Sequence, residues 1–334
     1  MGSGESPQRS HRDGGTSGAR RRSRARSELA ADLAPVGVLG GLVLIVSAFS
    51  PSFLSVYSLQ VLAAESSVIL LLAIGQTIVI LLGGIDLSVA STASLTSVLV
   101  ALLLPGFGAG AVVFALGIAG LIGALQGFVH ARAKIPSFIV TLAGLGLWSG
   151  IALAIAHTTI PVTGRLEVVS WLNGLSAGVP NAFMVALGTL ALFQAALPRS
   201  RFGRYLHAIG LAERAALLSG VPVWRVKTIA FAASGLCAGL AGVDMVARTG
   251  SGNPTIADSL LLPAIAAVLL GGTALTGGHG NLVRTLVGAC ITSVMRVGIA
   301  LAGIAPAWEA IAYGAVVIIA VAMTVDRRPT SAVK

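Results

Sequence analysis

The chain has 334 residues, of which 55% are apolar and 10% charged, with a formal net charge of +10 and a mean hydropathy of +0.92. Soluble domains carry about 25% charged residues and disordered chains are poor in apolar ones, so both classes are excluded over most of the length. Two Cys in the whole chain exclude a disulfide scaffold and a cysteine-built metal centre. Apolar runs such as Val68–Leu82 and Ala264–Leu270 are continuous, whereas barrel strands alternate over ~10 residues. The expected fold is therefore all-α: a polytopic helical membrane protein with about ten spans of ~20 residues or fewer.

In chain order, residues 1–34 form a Gly/Ser-rich and then basic tail, expected to be disordered and cytoplasmic, with Arg20, Arg21, Arg22, Arg24 and Arg26 in one dense run. This run reads as the positive-inside anchor of the first span, and nothing about it calls for nucleic acid as a partner. The transmembrane domain covers 35–326, with spans expected at 35–51, 60–82, 88–104, 109–129, 137–156, 181–197, 228–247, 259–273, 282–302 and 307–325. Residues 327–334 form a short second tail. With the N-terminus in the cytoplasm, 19 of the 22 Lys and Arg fall on the cytoplasmic side, among them Arg132, Lys134 and six residues of the 198–227 connection. That asymmetry predicts a multi-pass plasma-membrane protein with both termini inside and an even number of spans.

Leu81–Leu87 reads LLGGIDL and Leu269–Leu275 reads LLGGTAL, 188 residues apart, each at the end of a span. The echo predicts an internal duplication. Gly-interrupted segments at matched positions of two halves point to the pathway of a transporter.

Motifs for catalysis are missing. There is no phosphate-cradling G-x-x-x-x-G-K-[ST], no H-E-x-x-H and no G-x-S-x-G, so no catalytic residue and no metal site is expected. Acidic residues near spans are few: Glu65, Asp86, Asp244 and Glu309. Asp86 and Ser88 suit a cap on the helix that begins at Val89; the alternative is a role in the pathway or its gate. Glu65 and Glu309 lie near the outer span ends, where water can reach them. Arg296 lies deep in an apolar span with no partner named by the sequence.

The stretch Gly203–Lys227 is far less apolar than its surroundings. Ala212–Ser219 reads as a short helix preceded by Gly210, with Glu213 in its first turn, where the helix dipole favours an acid. Gly220 suits a left-handed stop before Pro222. Leu211, Ala215 and Leu218 fall on one side. A slim helix between Gly breakers suits insertion into a groove of a partner protein.

The segments Gly83–Ser91 (GGIDLSVAS), Ile135–Leu145 (IPSFIVTLAGL), Ser234–Val243 (SGLCAGLAGV), Ala264–Asn281 (AIAAVLLGGTALTGGHGN) and the helix just described resemble the membrane permease subunit of bacterial ABC importers. The branch is the ribose/xylose-type monosaccharide one, related to branched-chain amino-acid permeases. Ala90, Gln126, Leu261 and Pro263 depart from that family's usual residues. The resemblance implies a second permease subunit, cytoplasmic ATPase subunits that carry ATP and Mg, a soluble sugar-binding protein outside, and no cofactor in this chain. It also implies that Gly210, Glu213, Ala215, Ala216, Leu218, Ser219 and Gly220 couple to the ATPase. Gly83, Gly84, Asp86, Ser88, Gly271, Gly272, Gly277 and Gly278 would line or gate the path. A branched-chain amino-acid permease of the same architecture and an ion-gradient-driven secondary transporter are the competing readings. Intramembrane hydroxyls and amides, including Gln76, Thr77, Ser91, Ser94, Ser97 and Thr141, are the groups expected to carry a neutral sugar's hydroxyls.

Overall fold

A computed structural model describes residues 16–305 and 307–324. Its helices are α1 (Thr16–Phe49), α2 (Val56–Leu81), α3 (Val89–Phe107), α4 (Ala109–Ala133), α5 (Ser137–Ile155), the single turn α6 (Glu167–Ser170), α7 (Asn181–Arg199), α8 (Arg201–Leu218), α9 (Val223–Thr249), α10 (Leu261–Leu270), α11 (Leu282–Leu301) and α12 (Ala307–Thr324). Four two-residue strands make up the sheet content among the described residues. Seven helices, namely α2, α3, α4, α5, α7, α9 and α11, are long and apolar enough to cross a membrane. Shorter apolar helices occupy the other three expected positions, at Leu33–Phe49, Asp258–Leu270 and Ala307–Ile319. Helix α1 begins at Thr16, inside the stretch assigned to the basic tail; residues 1–15 and the 327–334 tail lie outside the described residues.

Helix α2 forms the axis. Every residue from Ser66 to Leu81 is buried, as expected for a helix that is apolar all round and packed on several sides. It packs against α9, α11, α10 and α7. Its polar residues find partners within the bundle: Ser67 Oγ donates to Asp244 of α9 (2.5 Å), and the hydroxyls of Thr77 and Thr285 of α11 meet at 2.9 Å.

The most extensive helix pair is α4 with α9, and its cause is visible in the sequence. Gly123 and Gly127 are one turn apart on α4, and Gly235 and Gly239 one turn apart on α9. A Cβ on Gly123 would lie 2.0 Å from Phe231 O, and one on Gly235 would lie 2.1 Å from Ala119 O. Small residues spaced by four let two membrane helices approach backbone to backbone, where dispersion and close packing replace the hydrophobic drive that lipid does not supply. The same device joins α10 to α11, where a Cβ on Gly288 would lie 1.8 Å from Ala267 O.

The Ser and Thr of α3 do not face an open channel. Ser94 Oγ accepts from Ala257 N (3.1 Å), and Ser97 Oγ donates to Asn253 O (3.1 Å) and accepts from Asn253 N (3.2 Å). They hold the 251–257 turn against the bundle and satisfy its backbone, as irregular chain at bilayer depth requires.

Gly123→Ala is expected to destabilise the protein by ~1–3 kcal/mol, the usual cost of overpacking. Gly117→Ala on the same helix meets no atom within 4 Å and is expected to be neutral or stabilising by up to ~1 kcal/mol through helix propensity. Thermal unfolding of the two variants in detergent compares them directly.

Candidate functional site: a glycine junction and the segment it holds

The two echo segments end their helices in the same way, but one residue out of register with the sequence match. After α2, Gly83 has φ +78°, Gly83 N donates to Ile80 O and Gly84 N to Val79 O. After α10, Gly272 has φ +78°, Gly272 N donates to Leu269 O and Thr273 N to Val268 O. Both are left-handed Schellman stops. Structurally Gly83 thus corresponds to Gly272, an offset of 189 rather than 188. Gly271, with φ −70°, belongs to the helix cap.

The two stops meet. Gly278 N donates to Leu81 O at 2.9 Å, which satisfies a carbonyl freed by the end of α2. Gly277 and Gly278 have φ +84° and +75°, and a Cβ on Gly277 would lie 2.6 Å from Gly83 N. Gly210 of α8 closes the junction: a Cβ there would lie 2.0 Å from Leu81 O and 2.4 Å from Gly278 N. Gly210 was expected on a partner-facing helix, but the structure places it inward, as the contact between that helix and both stops.

Beyond Gly210 the chain turns sharply. Ala212 is non-helical (φ −161°, ψ 89°) and divides α8, so the helical turn expected over 212–219 runs from Glu213 to Leu218. The regular helix N-terminal to it was not anticipated, because Arg201, Arg204 and His207 make 201–211 read as a connection. Gly220 takes the expected left-handed stop (φ +81°), with Val221 N donating to Ala216 O. Leu211, Leu217 and Leu218 are exposed, Leu218 by 88%, and Ala215 and Ser219 are exposed beside them. Ala216, expected among the coupling residues, is buried against the bundle. Glu213 accepts two hydrogen bonds from Lys227 Nζ, at 2.7 and 2.8 Å. The Lys227 side chain is buried and the Glu213 carboxylate half-exposed, so the pair ties the knob to α9. Beside it, the guanidinium groups of Arg132 (4.6 Å to the ring centroid) and Arg225 (5.2 Å) lie over the ring of Trp224. Cation–π stacking of this kind fixes α9 to the end of α4.

Asp86 is buried on the bundle side of the junction. Its Oδ1 accepts from Ser88 N (3.0 Å) and Ser88 Oγ (2.6 Å), and its Oδ2 from Ser234 Oγ of α9 (2.9 Å). The cap expected of these residues is not made: Ser88 is the N-cap residue of α3 but its side chain caps no helix N–H, and Asp86 instead forms an Asx turn to Ser88 N that leads into the helix. Ser88 Oγ also lies 3.0 Å from the Gln126 amide. The atom of Gln126 that faces it is the amide oxygen Oε1, so the single hydroxyl proton of Ser88 is shared between Asp86 Oδ1 and Gln126 Oε1. Gln76 Nε2 donates to Asp86 O (3.0 Å), and Ser137 Oγ accepts from Ile85 N (3.0 Å). Four helices, α2, α4, α5 and α9, thus converge on 85–88. Asp86 and Ser88 were expected at the gate, Gln76 was expected to meet the solute instead, and Gln126 stood out only by its departure from the family's usual residue.

Asp86→Ala removes the acceptor of three donors and is expected to cost ~1–3 kcal/mol, the penalty for buried groups left unpaired. Asp86→Asn keeps an oxygen for Ser88 and is expected to cost less. Melting of the purified variants in nanodiscs reads the difference.

Residues 58–321 match the family described as the permease component of the branched-chain amino acid transport system. The ribose import permease protein RbsC of Escherichia coli K12 is 37% identical over 288 residues, which is 84% of this chain and 89% of that protein. RbsC of Bacillus subtilis 168 is 35% identical over 295 residues, 87% of this chain and 91% of that one. The fructose import permease protein FrcC of Rhizobium meliloti is 33% identical over 286 residues, 81% and 78% of the two chains.

Proposed function

The chain belongs to the permease-component family of branched-chain amino acid transport systems, and from that premise we propose that it is the membrane permease subunit of an ATP-driven monosaccharide importer. The observation that carries the sugar reading is the 37% identity to a ribose import permease across 84% of the chain, together with the fructose permease among the relatives. An amino-acid substrate is disfavoured by the same relatives, although the family takes its description from amino-acid transport. An ion-driven carrier is disfavoured because the relatives are import permeases of the binding-protein type implied by the resemblance.

Energy comes from a separate ATPase bound on the cytoplasmic side, which carries the nucleotide and its Mg. In this reading the basic end of the bundle is cytoplasmic. The exposed Leu211, Leu217 and Leu218, with Ala215 and Ser219, form the docking face, and apolar anchors on a short helix suit a groove on the partner. Glu213 sets the angle of the face through Lys227. Gly210 carries a push on that face to the ends of α2 and α10, because its backbone abuts Leu81 and Gly278. Gly83, Gly84, Asp86, Ser88, Gly271, Gly272, Gly277 and Gly278 then act as the inner gate. They do so through the junction and the Asp86 network rather than by lining a path directly. A second permease subunit and an external sugar-binding protein complete the importer.

The test is reconstitution in proteoliposomes. Uptake is expected only with ATPase, ATP and binding protein present; accumulation by the permease alone would refute the reading. Leu218→Glu is expected to lower ATP-dependent uptake about tenfold or more, equivalent to ~1.4 kcal/mol. Its melting temperature should not change, because surface substitutions cost within ~0.5 kcal/mol. Wild-type uptake by this variant would remove the docking assignment.

A further inference from the structure

The end of the bundle away from the junction carries four charges inside or beside spans. Glu65 of α2 accepts from Arg248 Nη2 of α9, and Arg248 Nη1 also donates to Ala64 O at 3.2 Å. Arg296 Nε of α11 lies 3.8 Å from Glu309 Oε2 of α12, which supplies the partner that the sequence did not name. All four side chains are between 18% and 29% exposed. Glu65 and Glu309, expected to be simply hydrated, are therefore half-buried and paired. Half-buried charges in spans are costly; they pair with one another and face the bundle interior or a wet cavity, and they often mark a solute path.

Such a cavity is present. Glu65, Arg248, Thr249 and Arg296 line a half-open space of about 200 Å3 whose remaining wall is apolar and includes Met245 and Leu260. Arg248 also borders a neighbouring space of about 230 Å3 that contains Tyr57, Gln60 and Asn173. Glu65, Arg248 and Arg296 line the space, and Glu309, outside the lining, balances Arg296 from 3.8 Å, so only with Glu309 counted does the cluster sum to zero. It offers dense donors and acceptors. A guanidinium has five N–H groups in a planar fork, and a carboxylate accepts at several positions. One ion pair leaves much of both unused. Neighbouring hydroxyls on a carbon ring can accept from the fork and donate to the carboxylate at once, while the C–H face of the ring packs on Met245 and Leu260.

We propose that this cavity is an entry subsite for a neutral polyhydroxylated solute, with Arg248 and Arg296 as the residues that grip its hydroxyls. The proposal rests on the import reading above, in which this end faces outward.

The experiment uses the complete importer in proteoliposomes with its ATPase, a titration of liganded binding protein up to saturation, and D-ribose and D-fructose as probes. Arg248→Lys keeps the charge and its pairing with Glu65 but loses the planar fork; Arg296→Gln removes a charge while keeping a donor. Each variant is expected to lower sugar imported per ATP hydrolysed about fivefold, the effect of losing one net hydrogen bond. The KM for the liganded binding protein should stay at the wild-type value. Unchanged sugar per ATP in both variants overturns the proposal. So does a rise in KM with unchanged sugar per ATP, which would make this a docking surface for the binding protein. If Arg296→Gln does not insert, Arg248→Lys decides alone. Failure of the import reading itself is separate: the wild-type importer would then take up neither sugar.

Discussion

A helix that stops inside a bilayer leaves carbonyls with no water to receive, and the protein must supply the donors itself. The end of α2 meets this demand in two steps. The Schellman bonds around Gly83 satisfy part of the last turn, and Gly278, eight residues past the end of α10, donates to Leu81 O. That bond can form only if three stretches of backbone come into contact without side chains between them. Glycine at 83, 210, 277 and 278 is the means: positive φ at Gly83, Gly277 and Gly278, and direct backbone apposition at Gly210. The arrangement of the functional end follows from that one requirement.

Around the junction the bundle divides into a stiff part and a jointed part. The α4–α9 and α10–α11 pairs are locked by backbone-to-backbone contact at Gly123, Gly235 and Gly288, and such contacts do not slide without loss of packing. The segment between Gly210 and Gly220 is held differently. It has a kink at Ala212, a left-handed stop at Gly220, one ion pair to α9 and one glycine contact to the stops. A force on its exposed leucines therefore has two exits, through Glu213 and Lys227 into α9 and through Gly210 into the ends of α2 and α10. Both lead to the Asp86 network, because Ser234 lies on α9 and Gln76 on α2.

The sequence carried the helices well and their contacts poorly. Continuous apolar runs fix where a chain can cross lipid, and all ten expected positions hold an apolar helix. The stop at Gly220 was legible because Gly followed by Val-Pro admits few alternatives. The extra helix before Ala212 was not: its Arg and His residues look like loop, although the backbone there is regular helix. Local composition also could not tell that Gly210 and Ala216 face inward while Leu217 faces out, since side is set by the kink at Ala212. The one-residue shift between the LLGG echo and the matched helix stops has the same origin. Residue identity repeats at 188, whereas helix geometry selects whichever residue lands at the left-handed position. Pairings across the bundle, such as Arg296 with Glu309 and Glu213 with Lys227, join residues 13 and 14 apart around a turn of chain whose shape no periodicity encodes.

The acids inside the bundle bear on what the protein can move. Asp86 and Asp244 are buried and held by hydroxyls, with Ser234 and Ser88 on the first and Ser67 on the second. Ser234 and Asp244 are ten residues apart on α9, so about 15 Å of helix separates the two acids. Among the described residues no further carboxylate bridges that distance, and Glu65 and Glu309 are engaged by arginines at the far end. A chain of exchangeable acids, which a proton-driven carrier requires, is thus interrupted in the middle of the bundle. The polar groups that remain are neutral hydroxyls and amides or charge-balanced pairs. That chemistry fits passage of an uncharged, hydroxyl-rich solute driven from outside the chain.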